Sequence, residues 1–190
     1  MPIVLASASP RRRELMEMLG VRDLRILPAR GEEKAAETDD PAALVKALSA
    51  AKAREVAALC GKEDIVVGAD TVVWFCDRVY GKPKDRADAV RMLHELSGQT
   101  HQVFTGVTVI CGGVEQSEAE MSYVHFRPLT DREIEAYVDT GEPMDKAGAY
   151  GAQGKAALFV RGIDGDFFNV MGLPLCRLGQ ILKTQGVELL

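Results

Sequence analysis

The amino-acid sequence predicts one mixed α/β domain over residues 1–190, with a twisted central sheet flanked by helices and a lobe that contains a long hairpin. Short apolar runs typical of buried strands alternate with segments whose apolar residues recur at helical spacing. Gly112-Gly113 separates two long strand-like segments, which is the pattern of a hairpin. The 190 residues are enough for one sizeable core, and no internal repeat, linker or low-complexity segment divides them.

The N-terminal half is predicted to alternate strands and helices. Its first strand is the apolar run at residues 3–6. Ser9-Pro10 then begins a helix that Gly20 ends, because serine caps a helix N-terminus and proline suits the first helical position. The next predicted elements are a strand at 24–27, a helix from about 41 to 59, a strand at 65–76 with a short return at 79–80, and a helix from about 86 to 96.

The C-terminal half is predicted to begin with the hairpin. A strand at 102–111 is followed by a return strand to about 127, and the capping box from Thr130 to Glu133 begins a helix that ends at Val138. A loop with glycines at every third position follows at 145–154. The remaining predicted elements are a strand at 157–160, a turn at 163–166 and a last helix from about 173 to 182.

Composition and charge exclude several classes of protein. The net charge of −5 argues against broad, charge-driven binding of nucleic acid, although it permits a local basic pocket for a small anion. No apolar stretch reaches the ~18 residues that span a bilayer, and no signal-peptide pattern is present. We therefore expect a soluble, cytoplasmic protein with no membrane partner. Four scattered cysteines indicate neither zinc nor disulfides, but buried thiols in a reducing compartment.

The first candidate site joins the first strand to the first helix. Arg11, Arg12 and Arg13 lie at a helix N-terminus, where the helix dipole disfavours each cation by roughly 0.3–1 kcal/mol. Free N–H groups there, with the Ser7 hydroxyl and guanidinium forks, suit phosphate oxygens. Successive helical residues point about 100° apart, so the three arginines cannot all face one ligand. A capping serine beside solvated arginines explains the same pattern, and the residues alone leave both interpretations open.

Asp70 is the second candidate. It follows the apolar run Ile65-Val66-Val67-Gly68-Ala69 and is therefore predicted at the carboxyl end of a central strand, where open α/β sheets bind ligands. A carboxylate in that place can bind Mg²⁺ or accept a proton from water. The alternative is an aspartate that caps the following turn, but the apolar run before Asp70 favours a functional role.

Other charged residues give weaker signals. Lys82 lies on the stiff turn Gly81-Lys82-Pro83 and suits a phosphate, although a lysine in a turn is typically solvated. Lys52 lies mid-helix among alanines, which favours a surface lysine. Glu32 and Glu33 belong to an acidic loop, where either residue is suited to bind a metal or to remain solvated.

The glycine-punctuated loop at 145–154 allows a ligand to approach the backbone closely. Within it Tyr150 suits stacking on a base, and Gln153 carries the donor and the acceptor needed to read a base edge. The loop has no Walker A pattern. Asp164 and Asp166 are interpreted as turn residues, and the histidines as ordinary hydrogen-bonded or surface side chains.

Several blocks of the sequence, taken together and in order, resemble the Maf family. This family comprises nucleoside triphosphate pyrophosphatases historically linked to septum formation. The resemblance covers nearly the whole chain. The blocks are residues 5–12 (LASASPRR), 68–72 (GADTV), 81–83 (GKP), 97–98 (SG), 140–143 (TGEP), 145–151 (DKAGAYG) and 172–175 (GLPL).

The resemblance implies a two-lobed fold like that of inosine triphosphate pyrophosphatases, with a cleft between the lobes and, in many members, a homodimer. It implies hydrolysis of a nucleoside triphosphate substrate to monophosphate and pyrophosphate, with Mg²⁺ or, in its place, Mn²⁺ as the divalent cofactor. The residues that it assigns to catalysis are Asp70 as proton acceptor, Lys52, Lys82 and Glu33, with Asp70 and Glu33 also at the metal. Glu32 competes with Glu33, because the loop alignment can slip by one residue. The residues that it assigns to substrate binding are Ser7, Arg11, Arg12, Thr71 and Gln153.

Three of these positions indicate the substrate type. Members that act on dTTP and UTP carry Arg, Thr and Gln, present here as Arg11, Thr71 and Gln153. Members that act on 7-methyl-GTP carry Trp at the first position and Gln after the catalytic Asp. The sequence resembles the dTTP/UTP type, with Arg12 expected at the phosphates, Arg11 in substrate selection and Arg13 at the surface. The alternatives are a 7-methyl-GTP-type or broad-specificity pyrophosphatase, and a cell-division regulator that acts through a binding partner.

Overall fold

The computed structural model describes residues 2–21, 23–31 and 39–190. The strands are β1 (Ile3–Leu5), β2 (Leu24–Ile26), β3 (Ile65–Phe75), β4 (Arg78–Tyr80), β5 (Thr100–Cys111), β6 (Val114–Phe126) and β7 (Val160–Asp164). The α-helices are α1 (Pro10–Met18), α2 (Pro41–Ala57), α3 (Arg86–Leu96), α4 (Asp131–Val138), α5 (Phe167–Met171) and α6 (Leu175–Thr184). Short 3₁₀ turns occupy Glu142–Asp145, Ala147–Ala149 and Lys155–Leu158. None of the helices in the described ranges is long and apolar enough to cross a membrane.

One mixed sheet joins these strands in the order β2-β1-β3-β5-β6-β7, with β4 paired to β3. β1 runs parallel to β2 and to β3, and the other pairs are antiparallel. The β5–β6 hairpin turns at Gly112 and Gly113, whose φ values of 56° and 83° suit a tight two-residue turn. The predicted mixed α/β class is confirmed.

The pairing of β3 is interrupted on one side, and this interruption creates space for a site. β5 lies along residues 66–74 of β3 on one edge. On the other edge β1 pairs with residues 65–67 and β4 with residues 73–75. Among the described residues, positions 68–72 therefore have no strand partner on that edge. Asp70 and Thr71 lie within this gap.

The hydrophobic core divides at the same point of β3. Val67 packs in a cluster that includes Leu15 of α1, whereas Val73 packs in a cluster that includes Leu93 of α3. The molecule therefore has two lobes that share β3, as the resemblance implies. Asp70 lies between the two clusters along the strand.

Helix α2 crosses the sheet where two strands carry glycine. A Cβ atom added to Gly68 would lie 2.4 Å from the carbonyl oxygen of Ser49, and one added to Gly106 would lie 2.1 Å from that of Val45. The helix backbone can lie directly on the sheet only because both positions lack a side chain. Since Lys52 belongs to α2, this close packing sets the position of its backbone relative to β3.

The predicted strand at 157–160 is wrong. Lys155–Leu158 forms a 3₁₀ turn, and the strand begins at Val160. The N–H of Lys155 donates to the carboxylate of Glu142 at 3.1 Å, which holds the start of this segment in a turn. Leu158 is 74% exposed, so the apolar run that indicated a buried strand is not buried along its length.

The segment at 163–166 joins two regular elements instead of forming a simple turn. Asp164 ends β7, and Asp166 caps α5, where its carboxylate accepts the N–H of Phe168 at 2.7 Å. Helix α5 was not predicted from the sequence. The last helix begins at Leu175, slightly later than predicted.

The cysteines carry free thiols, but the expectation that these thiols are buried is wrong. Cys76 and Cys176 are exposed, and Cys60 and Cys111 are half-buried. Cys76 follows the last residue of β3 and Cys176 lies in the first turn of α6, and both places are open to solvent.

Candidate active site

A cleft of about 580 Å³ includes the interrupted part of β3. Its walls come from the β1–α1 loop, α2, the middle of β3, the turn after β4 and the loop at 145–154. Most of the residues predicted for catalysis or substrate binding line it together: Ser7, Arg11, Arg12, Lys52, Asp70, Thr71, Lys82 and Gln153. Glu33 and its competitor Glu32 lie outside the described residues.

The guanidinium of Arg12 is held by acceptors from three elements. Its Nε donates to the carbonyl oxygen of Gly172 at 2.7 Å, and its Nη1 donates to the Ser7 hydroxyl at 3.2 Å. Its Nη2 donates to the hydroxyl of Thr71 at 3.0 Å. Gly172 follows α5, Ser7 follows β1, and Thr71 belongs to β3. They fix the plane of a side chain whose forked donors suit phosphate oxygens.

Two serines at the start of α1 have different roles. Ser9 caps the helix, and its hydroxyl accepts the N–H of Arg12 at 3.5 Å. Ser7 is buried, and its hydroxyl accepts the N–H of Ser9 at 3.2 Å as well as Nη1 of Arg12. Helix capping therefore accounts for the serine at position 9. It does not account for Ser7, which contacts Arg12 and lines the cleft. Arg13 is exposed and pairs with Glu17 at 2.7 Å, as expected of a surface residue.

Arg11 contacts the loop that forms another wall of the cleft. Its Nη1 lies 3.3 Å from Oδ2 of Asp145, and Oδ1 of Asp145 lies 2.7 Å from the ammonium of Lys146. Burial by itself would raise the pKa of Asp145, but the hydrogen bond and charge of Lys146, together with the charge of Arg11, bring this pKa below its usual value. Asp145 is thus the counter-ion of two cations that line the cleft.

Asp70 is a buried carboxylate that forms an ion pair with Lys52. The contact joins Nζ of Lys52 to Oδ1, and no donor among the described residues contacts Oδ2. The Lys52 side chain is 18% exposed, so the surface position favoured by its alanine-rich surroundings is wrong. The reason is tertiary, because α2 packs closely on the sheet and carries this residue to β3.

Lys82 and Gln153 line the cleft with exposed side chains, but Tyr150 lies differently from its prediction. The Tyr150 ring is 6% exposed and packs edge-on against Phe126, with ring centroids 4.8 Å apart. Its hydroxyl lies 2.8 Å from Nε2 of His101. The ring is therefore part of the core and does not offer a face for stacking on a base.

The histidines are hydrogen-bonded or surface side chains, as predicted. Burial, with a smaller contribution from the charge of His125, lowers the pKa of His101 to about 3. His125 lies 2.9 Å from Asp164, and His94 is exposed. None of the three lines the cleft.

A divalent metal site is compatible with the donors of the cleft. The described part of the chain contains no group of three or more His, Cys, Asp or Glu side chains able to hold a metal ion. Mg²⁺ in nucleotide sites, however, is held by one or two carboxylates together with substrate phosphates and water. Asp70, beside side chains suited to phosphate, fits that pattern.

The residues that lie behind Arg12 and Thr71 were not predicted from the sequence. Gly172 supplies the carbonyl that accepts Nε of Arg12, and it ends α5 in a left-handed conformation with φ of 112°. The spacing of Asp166 and Gly172, a capping residue and a terminating glycine, was the available signal for it. Thr105 and Asn169 are fully buried, and no local pattern marks them.

The sequence profile of the family described as Maf-like protein matches residues 2–185. The chain belongs to the Maf family. This membership confirms the resemblance seen in the ordered sequence blocks.

Individual relatives match over nearly their whole length. A protein of Moorella thermoacetica named dTTP/UTP pyrophosphatase is 53% identical over 189 residues, which cover 98% of this chain and 96% of the relative. A protein of Agathobacter rectalis with the same name is 47% identical over 203 residues, covering 98% of each chain. The solved structure of the Ham1 protein of Staphylococcus aureus matches with a TM-score of 0.54 and 14% identity, over 97% of this chain and 100% of that one. The last likeness shows a common fold alone.

Proposed function

We propose that this chain hydrolyses nucleoside triphosphates, with dTTP and UTP as substrates, to monophosphate and pyrophosphate, and so clears such nucleotides or modified analogues from the pool. The observation that carries the proposal is that an oriented Arg12 and the buried carboxylate of Asp70 line one cleft. One group suits phosphate binding and the other suits activation of water. The printed names of the Moorella and Agathobacter relatives support this reaction.

A triphosphate needs several positive groups around it, and the cleft offers them from separate elements. Arg12 and the Ser7 hydroxyl are proposed to bind phosphate oxygens, and Lys82 to neutralise charge from the turn after β4. The N-terminus of α1 adds its dipole and its free N–H groups. Bound phosphate would also compensate the unfavourable placement of three arginines at that helix end.

Hydrolysis at the α-phosphorus requires a water molecule and a base. In this proposal the water oxygen forms a bond to the α-phosphorus, and the bond to the oxygen that bridges to the β-phosphorus breaks, so that pyrophosphate leaves. Asp70 accepts the proton of the water. Lys52 holds Oδ1 of Asp70, which orients the carboxylate and leaves Oδ2 for the proton. Arg12 and Lys82 stabilise the charge that moves onto the leaving pyrophosphate.

Asp70 and Glu33, with phosphate oxygens, are proposed to hold a divalent cation, which is Mg²⁺ or, in its place, Mn²⁺. Carboxylates and phosphates are the oxygen ligands that such hard cations prefer. When bound, the ion supplies positive charge at the phosphates and acidifies water. Glu33 lies among residues 32–38, outside the described ranges, so the support from structure comes from Asp70 alone.

Base selection is proposed to depend on Gln153 and Arg11. Gln153 is exposed within the cleft and presents one donor group and one acceptor, which complements the alternating groups on the edge of a uracil or thymine ring. Arg11 and Thr71 complete the set that the family resemblance ties to the dTTP/UTP type.

The wider organisation of the protein is also part of the proposal. We treat residues 1–190 as one domain, which the shared sheet supports because β1 and β7 come from opposite ends of the chain. The homodimer is proposed from the resemblance. The cytoplasmic location and the lack of a nucleic-acid partner are proposed from composition and from the net charge of −5.

Pyrophosphate release from a panel of triphosphates tests the proposal. The purified chain is incubated with Mg²⁺ and dTTP, UTP, 7-methyl-GTP or a purine triphosphate, and dTTP and UTP are expected to be the best substrates. Asp70→Asn should lower kcat by about 10²- to 10⁴-fold, since it removes the general base. Asp77→Asn is the matched control, because Asp77 is exposed, lies outside the cleft and has a left-handed φ of 56° that asparagine tolerates.

Each outcome of this panel has a distinct meaning. No release from any triphosphate would refute the enzymatic function. A preference for 7-methyl-GTP would assign the chain to the other substrate type. Full activity of Asp70→Asn would remove Asp70 from its role as base while leaving the reaction itself in place.

A further inference from the structure

Thr71 begins a row of hydrogen bonds that leads from the cleft into the core. Its hydroxyl accepts Nη2 of Arg12 at 3.0 Å and lies 2.9 Å from the hydroxyl of Thr105, its cross-strand partner on β5. The hydroxyl of Thr105 donates in turn to the backbone carbonyl of Asn169 at 2.9 Å. Thr105 and Asn169 are both fully buried.

The direction of this row follows from the number of protons available. A threonine hydroxyl has a single proton to donate. Thr105 gives its proton to the carbonyl of Asn169, so in the contact between the two threonines Thr71 must be the donor. A guanidinium can only donate. The row therefore runs from Arg12 through both threonines to the carbonyl of Asn169, and the proton of Thr71 points away from the cleft.

The far end of the row is anchored to the sheet. The side-chain amide of Asn169 donates to the carbonyl of Val103 at 3.0 Å and to the hydroxyl of Ser122 at 2.9 Å. These bonds tie α5 to β5 and β6. Since α5 ends at Gly172, whose carbonyl accepts Nε of Arg12, the same anchor supports a second contact of the guanidinium.

Ser7 provides a contrast within the same cleft. Its hydroxyl accepts two N–H donors, and its own proton has no acceptor among the described residues. Ser7 can therefore donate to a phosphate oxygen. The proton of Thr71 is already bonded to Thr105, so Thr71 has no donor left for a carbonyl of a pyrimidine base.

We propose that Thr71 is a positioning residue for Arg12 and does not read the base. The buried row presents the Thr71 hydroxyl as an acceptor for the guanidinium and thereby orients the group that binds phosphate. The inference rests on the proposed function of the cleft. Thr105, which is fully buried and cannot contact substrate, is then also a positioning residue for Arg12. Gln153 and Arg11 are then the residues that recognise the nucleotide base.

Binding of inorganic tripolyphosphate, which carries no base, provides the first test. Calorimetric titration in EDTA measures its affinity for the wild-type chain and for variants, without turnover. Thr71→Val and Thr105→Val should each weaken binding by about tenfold, because a hydrogen bond that orients a charged group is lost. Thr105→Ser, which keeps the hydroxyl, should restore affinity.

Thr108→Val is the matched control for the loss of a buried hydroxyl. Thr108 is also fully buried on β5, but its hydroxyl lies 2.8 Å from those of Ser49 and Ser117, and within the described ranges this group of hydroxyls has no hydrogen bond to the row that reaches Arg12. We expect this variant to bind tripolyphosphate like the wild type. Melting temperatures of all variants separate losses of affinity from losses of folded protein.

Base preference provides the second test. In Thr71→Val and Thr105→Val the kcat/KM values for dTTP and for a purine triphosphate should fall by the same factor, so that their ratio is unchanged. A changed ratio in Thr71→Val with wild-type affinity for tripolyphosphate would overturn the inference. So would wild-type affinity in Thr105→Val, or an equal loss in Thr108→Val.

The role of Thr71 can be tested separately from the proposed function. Should Thr105→Val fail to fold, Thr71→Val at the half-buried cleft position decides between the two roles by its affinity and its ratio. Should the wild-type chain hydrolyse no triphosphate, the proposed function fails, but the titration still reports whether the row orients Arg12.

Discussion

The packing of α2 against Gly106 gives a prediction that links stability to the active site. In a Gly106→Ala variant the new Cβ atom would lie 2.1 Å from the carbonyl oxygen of Val45 and 2.3 Å from its carbonyl carbon. Ordinary van der Waals contact begins at 3.4 Å. The obstacle is helix backbone, which cannot rotate aside as a side chain does, so α2 must move away from the sheet by roughly 1 Å.

The expected cost follows from that displacement. Overpacking a core typically costs about 1–3 kcal/mol, and we expect about 3 kcal/mol here because the neighbour is backbone. The movement also shifts Lys52 relative to Asp70. A misplacement of about 1 Å at a catalytic group can lower the rate by about 10²-fold, so kcat should fall together with stability.

Urea denaturation followed by circular dichroism measures the change in stability, and pyrophosphate release from dTTP measures kcat. Gly179→Ala is the control, because Gly179 lies inside α6 and, beyond its chain neighbours and the nearby backbone of that helix, no described atom lies within 4 Å of its added Cβ; alanine there should stabilise the helix by about 1 kcal/mol. A Gly106→Ala protein within about 0.5 kcal/mol of wild type would refute the packing argument. An unstable variant with full kcat would refute the link to Lys52 and Asp70.

The remaining predictions concern the cleft and one buried histidine. Arg12→Ala should lower kcat/KM for dTTP by about 10²-fold, whereas Arg13→Ala, one residue along the same helix, should leave it unchanged. Gln153→Ala should relax the preference for pyrimidine triphosphates more than it slows dTTP hydrolysis. EDTA should abolish pyrophosphate release, and Mg²⁺ or Mn²⁺ should restore it. The pKa of His101 is lowered from 6.5 to about 3, so between about pH 3 and pH 6.5 the unfolded chain binds a proton on this side chain that the native state does not. The stabilising effect of a neutral, buried His101 is complete above pH 6.5 and should be lost as the pH falls, by at most about 1.4 kcal/mol per pH unit, and His101→Gln should flatten this dependence in urea denaturation.

Each of these predictions has a contrary result. Equal losses in Arg12→Ala and Arg13→Ala would show a general effect of charge at α1. An unchanged base preference in Gln153→Ala would place base reading elsewhere in the cleft. Full activity in EDTA would exclude the proposed requirement for a divalent cation. An unchanged pH dependence in His101→Gln would assign the acid sensitivity to other groups.

Helix starts could be read from the sequence because their determinants are local. Ser9 caps α1, and Thr130 with Glu133 forms the capping box of α4, as predicted. In each case donor and acceptor lie within three residues of one another, so a short window contains the whole interaction. The hairpin glycines, whose turn depends on their own φ values, belong to the same class.

The errors fall where a distant residue decides the local structure. The turn at Lys155 depends on the carboxylate of Glu142, and the Tyr150 ring is buried because His101 and Phe126 surround it. An apolar run or an aromatic side chain in a loop looks the same whether such partners are present or absent. Sequence pattern therefore could not distinguish these outcomes.

The sequence by itself determined which chemical groups this protein has for its site: hydroxyls and guanidinium groups at a helix start, a carboxylate on a buried strand, and an amide in a glycine-rich loop. Only the tertiary structure decided what these groups do to one another. Lys52 pairs with Asp70 because glycines let α2 lie on the sheet, and Thr71 faces Arg12 as an acceptor because Thr105 takes its proton. Orientation of a hydrogen bond depends on the partner across the strand, and that partner is far away in the chain.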